Sequence, residues 1–439
     1  MRQTLFFIPH WLFEGPLLIA WLVIGLIVLA VLYSKYGNSS DTWSFLPVLG
    51  IVAAVIHFVL PGLEVAGINP ADPSGDQILL GLAIRGYGVF LLGAIAVGLV
   101  VVFGRAKHVG LTFDQILGLV FWMIVIGIAG ARLFYVIQKS DEFFESGLSF
   151  GQTMIAVINM TQGGLVVYGS LIGGILAAVV YLKINRLPIL KTADLIAPGM
   201  VLGLAIGRIG CLMNGCCYGG VCEAPLPSVT FPAGSSPYMT QLYKGELIGV
   251  KVTTNPEPKT RYPYVAESIQ AGSLAALAGL QVGDPFSIQP PDGTLLRYQK
   301  ESGNQKVAGK DLVGFLRIQR LDHEIPLPAV ELPARSLNTH PTQIYASINA
   351  LLLGLVLWFF WTVKRYDGEV FALMLILYSI GRFMMELIRQ DELGQFGTPF
   401  TISQLVSFGT ILLGFGIFFG VRLLNPPNSK EPADQLVAN

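Results

Sequence analysis

Runs of about twenty mostly apolar residues, the length a helix needs to cross a hydrocarbon core, recur along this chain. They lie near 16–34, 44–62, 78–103, 113–137, 163–182, 194–214, 342–363, 369–389 and 402–422. In hydrocarbon only helices and closed barrels satisfy their own backbone groups. The expected fold class is therefore an all-α polytopic membrane protein with about nine transmembrane helices. Charge content agrees. Of 439 residues, 13% are charged and 53% hydrophobic, where a soluble domain carries about 25% charged residues. Lys and Arg together number 28, as do Asp and Glu, so no basic footprint points to nucleic acid. The opening MRQTLFFIPHWLFEG lacks a basic region followed by a small-residue cleavage site, so the first run is expected to stay in place as a span.

Loop charges set the expected orientation. Lys35, Arg105, Lys107, Lys183, Arg186, Lys191, Lys364 and Arg365 fall in one set of loops. Of the alternate loops, GLEVAGINPADPSGDQ has no Lys or Arg and QKSDEFFESGLSFGQ is net acidic. The first set is expected to be cytoplasmic, which puts the N-terminus outside and the C-terminal tail inside. A stretch at 220–339, rich in Pro, Gly, Lys and Glu, has no span-length apolar run. It is expected to form an extracytoplasmic insertion large enough to bury a core of its own. The ending NPPNSKEPADQLVAN reads as a short disordered tail.

Charged residues inside spans are costly and point to function. Here they cluster towards the outer ends, with Asp194, at an inner end, as the exception. Arg85 and Tyr87 open the third run, Arg132 lies late in the fourth, Tyr168 starts the fifth, and Arg208 and Asn214 close the sixth. His340, Gln343 and Tyr345 open the seventh, while Tyr378, Arg382, Glu386 and Arg389 end the eighth at spacings of four, four and three. Those spacings place the last four on one helix face. A single arginine near a helix end often only snorkels to headgroups. Snorkelling explains neither the glycines flanking Arg208 nor a face with two arginines to one carboxylate. Net positive charge near the outer leaflet suits a phospholipid phosphate, which the planar donors of arginine match.

At these residues the chain resembles the prolipoprotein diacylglyceryl transferase family. RGYG at 85–88, GARLFY at 130–135, GGLVVYGSLIG at 163–173, DLIAP at 194–198, GRIGCLMNGCCYG at 207–219, HPTQIY at 340–345 and YSIGRFMMELIR at 378–389 follow the family's motifs in order. The third resembles GG-x-x-x-(His/Tyr)-GG-x-x-G and the fifth resembles G-R-x-G-N-x-x-N-x-E-x-x-G. Cys211 and Cys216 stand where that signature has Asn and Glu, and Tyr168 stands where the family often has His. The resemblance implies a seven-helix core at 78–219 and 340–422, preceded by an extra pair of spans in 1–77 and followed by the tail at 423–439. It implies transfer of the diacylglyceryl group of phosphatidylglycerol to the lipobox cysteine of a preprolipoprotein, in the bacterial inner membrane, with glycerol phosphate leaving. Arg208 and Arg382, supported by Arg389, would stabilise the leaving phosphate. Glu386 would orient Arg382 or accept a proton. Tyr168 would stand at the place considered for a base, although a tyrosine with a reference pKa of about 10 is a poor base near neutrality. Arg85, Tyr87, Arg132, Asn214, Gly219, His340, Gln343, Tyr345 and Tyr378 would bind substrate. No metal or soluble cofactor is implied, and a lipid-embedded site needs no partner subunit, so a monomer is expected. A non-catalytic phospholipid or peptide transporter, or a diverged paralogue, is the alternative.

Within the insertion, YVAESIQAGSLAALAGLQVGDPF at 264–286 resembles a bacterial PDZ domain, with the PDZ-like segment at 262–330. It implies a small α+β or β domain that binds exported peptide by strand addition, against the alternative of a plain periplasmic arm. The four cysteines, Cys211, Cys216, Cys217 and Cys222, are spaced C-x4-CC-x4-C. A zinc ribbon has paired C-x2-C spacing, which argues against metal. In an oxidising compartment Cys216 or Cys217 could pair with Cys222. An intramembrane metalloprotease is excluded, because His323 and Glu324 lie in the insertion with no second histidine four residues after the first.

Overall fold

Most of the apolar runs become helices. The computed structural model describes residues 4–13, 15–39, 43, 45–68, 77–144, 149–159, 164–222, 226–256, 260–289, 312–321, 324–328, 332–389, 398 and 400–424. In chain order these include β1 (Thr4–Ile8), α1 (Pro16–Tyr36), α2 (Phe45–Ala54), β2 (Glu64–Ile68), β3 (Gln77–Arg85), α3 (Gly86–Val109), α4 (Phe113–Gln138) and α5 (Phe150–Ile158). Next come α6 (Val167–Ile184), α7 (Ile189–Asn214) and α8 (Ser236–Tyr243). The insertion continues with β4 (Val250–Thr254), β5 (Tyr264–Ile269), α9 (Leu274–Leu277), β6 (Pro285–Gln289), β7 (Leu312–Ile318) and β8 (Glu324–Pro328). The chain closes with α10 (Thr342–Val363), α11 (Glu369–Glu386) and α12 (Ile402–Leu424).

Seven described helices, α1, α3, α4, α6, α7, α10 and α12, are long and apolar enough to cross a membrane. Large side chains such as Leu92, Val100 and Leu412 project outward from them, as hydrocarbon solvent requires. Two of the nine expected spans fall outside this set. The second is a shorter apolar helix over Phe45–Val59. The eighth is α11, whose 18 residues include Arg382 and Glu386. The third expected span also starts later than its apolar run. Residues 77–85 form β3, the centre of a three-stranded antiparallel sheet in the order β1-β3-β2, and the helix begins only at Gly86. An apolar run by itself does not separate strand from helix.

The chain forms two compact units. One comprises Met1–Leu92, Gly207–Tyr345 and Ile388–Asp391; the other comprises Gly93–Ile206, Ala346–Leu387 and Glu392–Asn439. In the first unit, Trp21 Nε1 donates to Leu49 O at 3.1 Å and ties α1 to α2. The insertion hangs on a two-stranded stem in which Gly219 N meets His340 O at 3.2 Å, His340 N meets Gly220 O at 3.0 Å, and Cys222 N meets Asn338 O at 2.8 Å. Beyond the stem, β4 to β8 form an antiparallel sheet in sequence order around Leu242, Ile248, Phe286, Leu316 and Ile318. Burial raises the Glu246 carboxyl above its ordinary range, partly offset by Lys244. A raised folded-state value means that the folded insertion binds the proton more tightly, so its stability falls as pH rises through that value. Glu246→Gln is therefore expected to slow amide exchange in β4 to β6 at neutral pH. The difference should vanish in acid, where both side chains are neutral.

In the second unit, α4 and α6 touch through glycines. A Cβ on Gly130 would meet Gly169 O at 2.5 Å, and one on Gly173 would meet Ile126 O at 2.6 Å. This small-residue contact substitutes close van der Waals packing for the hydrophobic drive that lipid does not provide. Gly130→Ala is expected to cost about 1–3 kcal/mol by overpacking, read as a lower thermal midpoint in detergent micelles. At the end of α7 that bears Asp194, the side chain is fully buried. It accepts from Lys364 Nζ, Gly368 N and Phe371 N, each at 2.8 Å. Gly368 and Phe371 lie at the start of α11, where backbone N–H groups have no partner within the helix. Glu369 similarly accepts from Arg365 N at 2.8 Å and Arg422 Nε at 2.7 Å, which adds α12 to the same knot.

Candidate active site

The glycine-flanked arginine motif sits where α7 ends. Gly215 has φ 73°, and Gly215 N bonds Leu212 O at 3.3 Å while Cys216 N bonds Cys211 O at 3.2 Å. That pair of bonds ends a helix with a left-handed residue, for which glycine is suited. Cys217 follows with φ 58°, a left-handed conformation uncommon outside glycine. The two turns fold the chain back over its own helix. As a result the sulfurs of Cys211, Cys216 and Cys217 all lie within 4.8 Å of one another. The loop is pinned from α10, because Thr342 Oγ1 donates to Cys217 O at 2.6 Å and Gln343 Nε2 to Cys216 O at 2.7 Å.

Cations surround this turn. Arg208 is half-buried on the last turns of α7, and Arg389 pairs with Gly219 in an antiparallel bridge. Hydrogen bonds to the Cys211 and Cys216 sulfurs, with the charges of Arg389 and Arg208, pull the Cys217 thiol below its ordinary range. Asn214 hydrogen bonds Cys216, and Tyr87 lies within electrostatic reach of all three sulfurs and of Arg208. The C-x4-CC-x4-C spacing does not reveal this convergence, which depends on the loop doubling back over its helix. None of the four cysteines is in a disulfide, and Cys222 lies on the stem with its sulfur 3.9 Å from Pro227 O.

A second constellation lies within the other unit. Arg382 Nη1 pairs with Glu386 Oε2 at 2.5 Å, and Arg382 Nη2 donates to Ser403 Oγ at 2.8 Å. Tyr168 and Ser403 share a hydrogen bond of 3.3 Å between hydroxyls. Glu386 and Ser403 are buried. Ser403, the link between Tyr168 and Arg382, is not among the residues the sequence motifs point to. Its signal is a serine at the start of an apolar helix with Ser407 one turn later.

The remaining expected site residues divide. His340 lies in the stem with its ring 6.5 Å from that of Tyr345, and the Tyr345 hydroxyl donates to Pro227 O at 3.3 Å. Arg85 is exposed at the end of β3, opposite Thr4. Arg132 is buried, with Nε, Nη1 and Nη2 donating to Val157 O, Gly164 O and Ala156 O. Tyr378 packs against the apolar core around Leu357 and Val370. The expected shared helix face of Tyr378, Arg382, Glu386 and Arg389 does not form, because α11 stops at Glu386 and Arg389 lies in an extended bridge.

The family model for prolipoprotein diacylglyceryl transferase matches residues 77–420. The chain belongs to this family. Among its relatives, the phosphatidylglycerol–prolipoprotein diacylglyceryl transferase of Rhodopirellula baltica is 33% identical over 94% of this chain and 87% of the relative. The protein of the same name from Clostridioides difficile is 35% identical over 80% of this chain and 97% of the relative. That from Clostridium tetani is 24% identical over 77% and 94%. With seven membrane-length helices among the described residues, the chain is a multi-pass membrane protein.

Proposed function

We propose that the protein transfers the diacylglyceryl group of phosphatidylglycerol to the lipobox cysteine of preprolipoproteins in the inner membrane of a bacterium. The observation that carries this reading is the turn at 207–219, which holds Arg208 and Arg389 around one loop in a chain of the family. The substrate thiol loses its proton, and its sulfur attacks the glyceryl carbon bonded to the phosphate oxygen. A C–S bond forms, the C–O bond breaks, and glycerol phosphate departs with the electron pair. The leaving group is already anionic, so preorganised positive charge assists it more than a proton would.

In this reading Arg208 and Arg389 receive the phosphate, and Tyr87, Asn214 and His340 orient headgroup and thiol. Thr342 and Gln343 act as positioning residues, because both hold loop carbonyls. Arg382 presents a further guanidinium for anionic lipid, kept in one rotamer by Glu386 and Ser403, and Tyr168 fixes Ser403. Arg132 positions α5 through the carbonyls it binds. We further propose nine crossings with the N-terminus and insertion outside and the C-terminus in the cytoplasm, supported by the loop lysines and arginines, and a monomeric state. The position of β4 at the edge of the described sheet supports capture of an exported peptide by strand addition.

The test uses purified protein, phosphatidylglycerol vesicles and a lipobox peptide. Thioether-linked product is expected from the wild type, and a lipobox Cys→Ser peptide should give none. Lipid binding without product would favour the transporter reading.

A further inference from the structure

The sulfurs of Cys211, Cys216 and Cys217 lie within 4.8 Å of one another, and the proposed phosphate role of the arginines makes no use of them. We propose that these three cysteines form a thiolate site for a soft divalent cation of the zinc type, whose fourth position takes the substrate thiol. The metal site stands on the cysteine geometry, whereas the role of its fourth position rests on the transferase reading above.

The geometry fits such an ion. Zn–S bonds of about 2.3 Å in a tetrahedron place sulfurs about 3.8 Å apart, so closing on an ion needs only small side-chain rotations. Three protein ligands with a fourth position left for water or substrate is the arrangement of catalytic zinc sites, whereas structural sites use four. Among the described residues, no His, Asp or Glu joins the cluster as a fourth ligand. The loop is also held from outside: Thr342 and Gln343 bind the carbonyls of Cys217 and Cys216, as hydrogen-bonded outer groups orient metal ligands elsewhere. A three-thiolate zinc carries one net negative charge, and Arg208 and Arg389 provide nearby compensation. A disulfide would use two of the sulfurs and leave the third without a role.

The chemistry gives the site a function. A thiol must become a thiolate before it attacks. Of the groups that act on the cluster sulfurs, Tyr87, Asn214, Arg208 and Arg389, none is a base suited to neutral pH, which leaves His340 of the stem or a bound cation to generate the thiolate. A coordinating thiol loses its proton outright on binding such an ion. The substrate thiol would displace water from the fourth position and release its proton to solvent. The bound thiolate would then attack the glyceryl carbon, the C–O bond to phosphate would break with its electron pair on the departing glycerol phosphate, and the thioether, a weak ligand, would yield its place to water. No oxidant or reductant takes part.

The experiment uses the full-length protein purified in detergent under reducing conditions and titrated with Zn²⁺ or Co²⁺. Wild type is expected to bind one Zn²⁺ per chain, and Co²⁺ should show sulfur-to-cobalt charge-transfer absorption with tetrahedral d–d bands. Loss of an outer hydrogen bond weakens metal affinity about 10–100-fold, and loss of a ligand should weaken it further. Cys211→Ser, Cys216→Ser and Cys217→Ser should each fall below that range, while Cys222→Ser should bind as wild type. Adding lipobox peptide should perturb the d–d bands, and a Cys→Ser peptide should not. Absence of the charge-transfer band in wild type, or its persistence in the three variants, overturns the site. An unchanged spectrum on adding lipobox peptide, or full thioether formation by metal-stripped protein, overturns the role of the fourth position. Metal binding without any thioether product from phosphatidylglycerol would instead refute the transferase reading and leave the metal site standing.

Discussion

Arg208→Ala is expected to lower thioether formation by about 10²–10³-fold, the effect of removing one preorganised donor from a developing anion. Arg208 lies on the last turns of α7, immediately before the turn that gathers Cys211, Cys216 and Cys217. The adjacent Gly207 and the nearby Gly210 keep bulk away. A Cβ on Gly210 would sit 3.2 Å from Phe90 Cβ and 3.3 Å from Tyr87 O, so the helix lies close to α3 at this level. Arg208→Lys keeps the charge but loses the planar fork that matches a phosphate, and should recover only part of the rate. If the arginine acts on the leaving group, kcat falls and KM changes little. If it only binds phosphatidylglycerol, KM rises with kcat unchanged. Initial rates over a range of phosphatidylglycerol in mixed micelles separate the two.

Asp194→Ala is expected to be the most destabilising single change in the membrane bundle, by about 3–5 kcal/mol, the cost of breaking a buried ion pair by removing one partner. The carboxylate is fully buried and binds the Lys364 ammonium and two N–H groups at the start of α11. Alanine would leave the Lys364 ammonium, 14% exposed, with only the exposed Asp367 carboxylate at 2.8 Å as its anion, and the two N–H groups without their Asp194 acceptor. Asp194→Asn keeps the shape and one acceptor oxygen, so it should cost less. The readout is the thermal midpoint in detergent together with the yield of folded protein. Molecules that fold should retain wild-type turnover, since Asp194 lies fourteen residues before Arg208 in α7 and touches no substrate in this account. A turnover defect in folded Asp194→Asn would contradict that division of roles.

What was legible in the sequence was mostly the result of strong local rules. Span-length apolar runs, a stretch without them at 220–339, and arginines between glycines each have one dominant physical explanation. Three features were illegible for reasons of tertiary structure. The run at 78–85 is as apolar as a helix, and its strand conformation depends on β1 and β2 lying alongside. Arg389 follows Glu386 at helical spacing, yet the helix ends first, and the residue is held by the bridge to Gly219. The cysteine cluster needs a left-handed Gly215 and a left-handed Cys217 in succession, which no spacing rule for zinc ribbons describes. Arg132 shows the reverse case. It reads as a site residue by depth and charge, but its nitrogens serve backbone carbonyls.

Transfer of a diacylglyceryl group to a thiol parts phosphatidylglycerol into two traceable halves. The most direct measurement follows both halves of phosphatidylglycerol at once, with one label in the acyl chains and another in the headgroup glycerol, incubated with purified protein and lipobox peptide. The acyl label is expected to become covalently attached to the peptide cysteine through a thioether, while the headgroup label appears in equal amount as glycerol phosphate. Release of neither label from the lipid, or attachment of the headgroup label to the peptide, would contradict it.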